Sequence, residues 1–317
     1  MIHDSILSTI GHTPIVRLHR LAPAHVALYA KIESFNPGGS VKDRLALAIV
    51  LDAEEKELLK PGDTIVEATS GNTGIALAMI AAARGYHFVA VMTESFSIER
   101  RKLMRAYGAR VILTPAAARG AGMVRKAEEL AAKHGWFLAR QFENAANPAW
   151  HRNTTAAEIL RDFAGRRLDY FVSGWGTGGT LTGVGEMLRL ARPEVKIIAA
   201  EPAQAAILAG EEWHPHRIQG WTPDFLPGVL SRKVAHSTVQ VDEVVARDTA
   251  RRLAEEEGIF AGLSSGATVA AALQVAGSAP DDSVLLAMLP DTGERYLSTF
   301  LFEDVEEGSD EGWLAAL

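Results

Sequence analysis

The sequence predicts an α/β fold of two domains, with mainly parallel, twisted sheets flanked by helices. Three observations carry this. The 317 residues exceed what one compact core usually organises. Short Val/Ile/Leu/Ala runs alternate with helical stretches along most of the chain. Those runs are continuous rather than alternating, as in strands buried on both faces.

Strands are expected at residues 27–32, 64–68, 87–92, 110–113, 170–173, 196–200 and 283–289. Helices are expected between them, at 41–59, 72–84, 98–107 and 242–257. Turn signals punctuate the pattern at Asn36-Pro37-Gly38-Gly39, Pro61-Gly62, Tyr107-Gly108, Asn147-Pro148 and Pro290-Asp291. A composition shift at 141–150 suggests a domain border. Residues 303–317 form an acidic stretch that reads as a solvated tail.

Composition narrows the function. Hydrophobic residues make up 48% and charged residues 22%, which is globular rather than disordered. A net charge of -7 without basic blocks argues against a nucleic-acid partner. Cysteine is absent, so disulfides, thiolate metal sites and a cysteine nucleophile are excluded. His214 and His216 flank Pro215 without a third ligand at suitable spacing, so no metal site is expected. The N-terminus lacks a basic segment followed by an apolar one, and the longest apolar run, 75–83, is too short to span a bilayer. A cytoplasmic protein without a membrane partner is therefore expected.

Three polar segments invite chemistry. In Asn36-Pro37-Gly38-Gly39-Ser40-Val41-Lys42-Asp43-Arg44, the lysine falls at the start of a helix. The helix N-terminus and partial burial both favour its neutral amine, the form that makes Schiff bases. Taken alone, a lysine in this place more often sits on the surface of a first helical turn, with Asp43 as an N-terminal charge. Thr69-Ser70-Gly71-Asn72-Thr73-Gly74 follows one expected strand and opens an apolar helix, where free N–H groups suit a carboxylate or phosphate. It also reads as an ordinary capped loop. The run 174–183 holds five glycines and three threonines in ten residues and can wrap a phosphate. Within it, Gly174, Gly176 and Gly179 match G-x-G-x-x-G, and Glu201 follows about 20 residues on, so an NAD-dependent dehydrogenase is an alternative. Gly262-Leu263-Ser264-Ser265-Gly266-Ala267 reads as a helix cap, and Asp291-Thr292-Gly293-Glu294-Arg295-Tyr296 as a polar turn after a strand.

Taken in order, these segments resemble the cysteine synthase (O-acetylserine sulfhydrylase) and cystathionine β-synthase family of fold-type II pyridoxal-phosphate enzymes, which are tryptophan synthase β-like. The resemblance runs from Ile10-Gly11-His12-Thr13-Pro14 to Gly293-Glu294-Arg295-Tyr296-Leu297-Ser298-Thr299. It implies pyridoxal 5'-phosphate bonded to Lys42, which also acts as catalytic base. It implies a phosphate cup of Gly176, Thr177, Gly178, Gly179 and Thr180, with Asn72 at the cofactor's ring oxygen and Ser264 at its ring nitrogen. The substrate carboxylate would be held by Thr69, Ser70, Asn72, Thr73 and Gln141.

The family form of residues 219–227 implies L-cysteine synthesis from O-acetyl-L-serine and sulfide. Cystathionine β-synthase and serine or threonine dehydratase chemistry are alternatives on the same fold. No arginine is evident in the matched motifs to pair with a phosphate leaving group. The resemblance further implies a homodimer. It assigns residues 35–145 to a smaller mobile domain, and 1–34 with 146–302 to the larger one that binds the cofactor phosphate. It also implies that the C-terminal peptide of serine acetyltransferase could bind in the cleft, with Trp221 and Phe225 as pocket walls. His12 departs from the family pattern, standing where asparagine is usual.

Overall fold

A computed structural model describes residues 2–94 and 97–314 of the chain. Among these residues, ten strands form two sheets. The first sheet takes β1 (Ile15–Leu18), β2 (Val26–Ile32), β7 (Tyr170–Gly174), β8 (Lys196–Pro202), β9 (Ser237–Val241) and β10 (Ser283–Leu289), in the order β1-β2-β10-β7-β8-β9. Only β1 runs antiparallel to its neighbour. The second takes β3 (Thr64–Ala68), β4 (His87–Thr93), β5 (Arg110–Thr114) and β6 (Phe137–Leu138), in the order β5-β4-β3-β6, all parallel.

The helices are α1 (Lys42–Glu55), α2 (Asn72–Arg84), α3 (Ile98–Ala106), α4 (Arg119–His134), α5 (Ala146–Trp150), α6 (Ala156–Asp162), α7 (Gly179–Ala191), α8 (Glu243–Glu257), α9 (Leu263–Ala276) and α10 (Glu311–Leu314). A π-helical turn, His151–Thr155, joins α5 to α6. Helix α1 ends earlier than its apolar pattern suggests. Past Glu55 the chain turns, and Glu57 takes φ 57°.

Both sheets are covered on both faces, which explains the continuous apolar strands. In the six-stranded sheet, α8 and α9 back one face and α6 and α7 the other. In the four-stranded sheet, α1 and α2 cover one face and α4 the other. Helix α9 is Ala-rich and carries Gly266 because it must approach closely. A Cβ on Gly266 would stand 2.2 Å from the Ala246 carbonyl oxygen of α8. No helix of the described residues is long and apolar enough to cross a membrane.

A buried charge cluster ties α1 to the six-stranded sheet. Arg44 of α1 meets Glu33 at 2.6 Å and Glu158 of α6 at 2.7 Å, while Lys31 of β2 meets Glu158 at 2.8 Å. Thr13 donates to Glu33 at 2.6 Å, and its carbonyl accepts from Lys31 at 3.0 Å. Burial would raise the Glu158 carboxyl, but the hydrogen bonds and charges of Arg44 and Lys31 outweigh it and hold it at about 2. Such a cluster is stable only because each charge is answered.

Candidate active site

Loops after β3, β7 and β10 meet the start of α1 and of α9 around one cavity of about 500 Å³. The C-terminal ends of parallel strands are where α/β sheets present loops to ligands. Lys42, Thr69, Ser70, Asn72, Thr73, Gln141, Gly176, Thr177, Gly178, Gly179, Thr180 and Ser264 all line this cavity. The sequence-derived site residues are thus brought together without exception.

Lys42 is the first residue of α1, partly buried, and its Nζ makes no ion pair or hydrogen bond among the described residues. Burial is the main influence on it and pulls its pKa below the ordinary lysine value. The negative charges of Asp291 and Glu33 oppose this and only partly succeed. The neutral amine is thereby favoured, as nucleophilic or basic lysines require.

The loop after β3 is anchored at both ends. Thr69 N–H donates to Val91 O at 2.9 Å, joining the loop to β4. Thr73 Oγ1 donates to Gln141 Oε1 at 2.7 Å. Gln141 is held in turn, because its N–H and that of Arg140 donate to the Glu67 carboxyl at 3.3 and 2.8 Å. Burial raises that carboxyl to about 7, although the two N–H groups pull the other way. The N-cap residue of α2, Gly71, brings no side chain to the first turn, and Gly74 and Ile75 donate to its carbonyl, so the N–H groups of Asn72 and Thr73 at the cavity are left to meet an anion.

Asn72 stands at the centre of a network that sequence reasoning missed. Its Nδ2 donates to Asp291 Oδ2 at 2.7 Å, and Tyr296 OH donates to the same oxygen at 2.6 Å. Arg295 donates to Asn72 Oδ1 at 2.5 Å and also to the Gly38 carbonyl. The buried Arg100 guanidinium lies 5.4 Å from the Tyr296 ring centre and donates to Ser70 O at 3.4 Å. The only local signal for Asp291 was its position directly after β10. Arg100 belongs to the family-like run Glu99-Arg100-Arg101, but as one of three arginines on a short helix it gave no sign of a place at the site.

The 174–180 loop fits a phosphate. Gly178 caps α7 with φ 87° and supplies no side-chain oxygen to the first turn. Space for side chains is absent: a Cβ on Gly176 would meet Gly220 O at 2.0 Å, and one on Gly179 would meet Asn147 Oδ1 at 1.9 Å. Thr177 Oγ1 accepts from Asn147 Nδ2 at 3.0 Å. Thr180 Oγ1 lies 3.2 Å from the Nε2 of buried His151. Burial, then the nearby charge of Arg44, lowers that imidazole to about 3, so it is neutral. Ser264 sits in the first turn of α9 and is buried. Glu201, which a dinucleotide site would turn to a ribose, instead accepts N–H groups of Leu208 and Ala209 at 2.9 and 3.1 Å. The dehydrogenase reading of Gly174, Gly176 and Gly179 therefore loses its acidic partner.

A lysine amine without a protein partner, a glycine cup and a second helix start with glycine at its N-cap, all around one cavity, are the parts that a pyridoxal-phosphate site needs. The chain belongs to the pyridoxal-phosphate dependent enzymes, whose family model matches residues 6–291. Its cofactor is pyridoxal 5'-phosphate, and its architecture is that of the fold-type II members.

The chain is 68% identical over 314 residues to O-ureido-L-serine synthase of Streptomyces lavendulae, covering 99% of this chain and 97% of that one. It is 48% identical over 300 residues to cysteine synthase of Staphylococcus aureus, covering 94% and 97%. Among solved structures, an O-ureido-L-serine synthase superposes with a TM-score of 0.98 at 68% identity, covering 99% of this chain and 100% of that one. A cysteine synthase of Entamoeba histolytica superposes with a TM-score of 0.92 at 37% identity, covering 100% and 95%. The protein is thus a β-replacement enzyme of the cysteine synthase family.

Proposed function

We propose that the chain makes O-ureido-L-serine from O-acetyl-L-serine and hydroxyurea, releasing acetate. The product named for the relative at 68% identity carries its ureido group on oxygen, so the matching nucleophile is the hydroxyl of hydroxyurea. The observation that carries the β-replacement half of this reading is the single cavity shared by Lys42, the 69–73 loop and the glycine cup. The high identity with O-ureido-L-serine synthase supports the choice of nucleophile over sulfide. Cysteine formation from sulfide stays as a second reading, because 48% identity to cysteine synthase spans nearly the whole chain.

Pyridoxal 5'-phosphate, when bound, supplies the electron sink that makes the substrate's α-proton acidic and its β-substituent a leaving group. Lys42 would bond the cofactor's aldehyde, Gly176, Thr177, Gly178, Gly179 and Thr180 would hold its phosphate, and Ser264 would face its ring nitrogen. Asn72 would reach the ring oxygen while fixed between Asp291 and Arg295.

The chain's own residues then do the rest. The 69–73 amides and hydroxyls, with Gln141, hold the substrate carboxylate. Lys42 takes the α-proton as a neutral base and returns a proton at the end. The Cβ–O bond to acetate breaks, and acetate leaves with the bonding pair. A bond from the hydroxyurea oxygen to Cβ forms, and the hydroxyl proton is lost. Anion binding at the 69–73 loop would draw the smaller region, residues 35–145, toward the larger one and exclude water.

Mixing purified holoenzyme and O-acetyl-L-serine with either hydroxyurea or sulfide tests the reading. Mass spectrometry should find O-ureido-L-serine, with acetate released in equal amount. Cysteine as the sole product would return the protein to the cysteine synthases.

A further inference from the structure

We propose that Arg119 selects the nucleophile, its guanidinium receiving the carbonyl oxygen of hydroxyurea at the mouth of the cavity. This rests on the function proposed above. Arg119 opens α4 and lines the cavity beside Met123 and Val124 of the same helix. Its backbone takes φ 50° and ψ -156°, a region that residues with a Cβ rarely occupy and glycine enters freely. The local fold would therefore be better served by glycine.

Packing does not ask for arginine either. The side chain is exposed, and it enters no hydrogen bond, ion pair or ring contact among the described residues. An exposed arginine at a strained position, paired with nothing in the protein and lining the reaction cavity, can exchange its water for a ligand there.

Its place in the sheet says which part of the reaction it faces. The carboxylate loop follows β3 and the glycine cup follows β7, so the amino-acid and cofactor anions each have donors. Arg119 belongs to the connection after β5, the edge strand two places from β3. Its exposure puts it where the second substrate enters. A guanidinium offers a planar fork of N–H donors that matches an oxo group such as a urea carbonyl. Sulfide has no oxygen acceptor for that fork and gains at most from its charge.

Two variants separate these roles. Arg119→Gly relieves the backbone, and Arg119→Lys keeps the charge but removes the fork. Both should lower the ratio of hydroxyurea to sulfide kcat/KM by about 10- to 100-fold, as loss of a charge-assisted hydrogen bond would. Arg119→Gly should also have a Tm equal to or above the parent's. A second readout avoids turnover: in the Lys42→Ala protein, adding Arg119→Gly should weaken O-ureido-L-serine binding by a similar factor in calorimetry. An unchanged ratio in a parent that does make O-ureido-L-serine would overturn this inference alone, as would equal loss with sulfide, which marks general charge steering. A loss confined to O-phosphoserine as substrate would assign Arg119 to a leaving group and overturn it too. A parent that makes no O-ureido-L-serine defeats the proposed function as well.

Discussion

The two glycine-bearing loops around the cavity differ in how much room their backbones have. In the 176–179 cup, added Cβ atoms would strike Gly220 O, Leu230 and Asn147, all at 2.7 Å or less. In the 69–73 loop, a Cβ on Gly71 would find only Arg100 Nη1, at 4.0 Å. The cup is locked between fixed walls, whereas the carboxylate loop, held at Thr69 and Thr73, has open space at Gly71 between them. A permanently held cofactor suits the first arrangement, and a substrate that arrives and leaves with every turnover suits the second.

The lysine between the two loops should give the largest effect. Lys42→Ala should lower turnover by about a thousandfold or more while cofactor still occupies the cup, since removing a base typically forfeits that much. Absorbance of the retained cofactor and steady-state assays check this, and a parent-like rate would remove Lys42 from the chemistry.

Next comes the cup. Gly179→Ala should cost about 1–3 kcal/mol of stability through overpacking against Asn147, and the purified protein should carry less cofactor. Gly71→Ala, by contrast, should change stability by less than about 1 kcal/mol, its φ of -125° being open to any residue. Its effect should be confined to KM for the amino acid. Equal damage from both alanines, in thermal melts and cofactor titration, would erase the difference between the loops.

The effect confined to the narrowest range of conditions concerns acid. Glu158 is held at about 2, below its ordinary 4.5, so the stability it contributes is complete above about 4.5 and is lost as pH falls toward 2. The loss should be roughly 2–3 kcal/mol. Urea melts of the parent and of Glu158→Gln should differ in slope across that window. Parallel curves would show that the cluster around Arg44 does not bind protons on unfolding.

Strands inside the sheets were readable because they are mostly apolar, and all seven expected from the sequence are present, six of them interior and β5 at an edge. The missed ones lie at edges: β1 and β9 are edge strands and β6 has two residues. One side of an edge strand meets solvent or a loop, so the continuous apolar signal fades. The loops of the site were legible because each follows a strand and has unusual composition. Their supports were not. Arg295 reaches Asn72 from far along the chain, and Lys31, Glu33, Arg44 and Glu158 look like solvated charges until the fold brings them together. His12 shows a case in between. It stands where the family usually has asparagine, and its backbone takes φ 49°, a conformation that asparagine tolerates well.

Strand β10 has a consequence for synthesis. It lies inside the six-stranded sheet, where residue 26 pairs with residue 283, so that sheet cannot close until the ribosome has released nearly the whole chain. The four-stranded sheet draws only on residues 64–138 and can assemble earlier. A nascent chain stalled before residue 283 should therefore resist protease within 64–138 and be cut freely at 170–241. Its exposed β2 and β7 edges then make the interval before β10 emerges the time at which a chaperone is most needed.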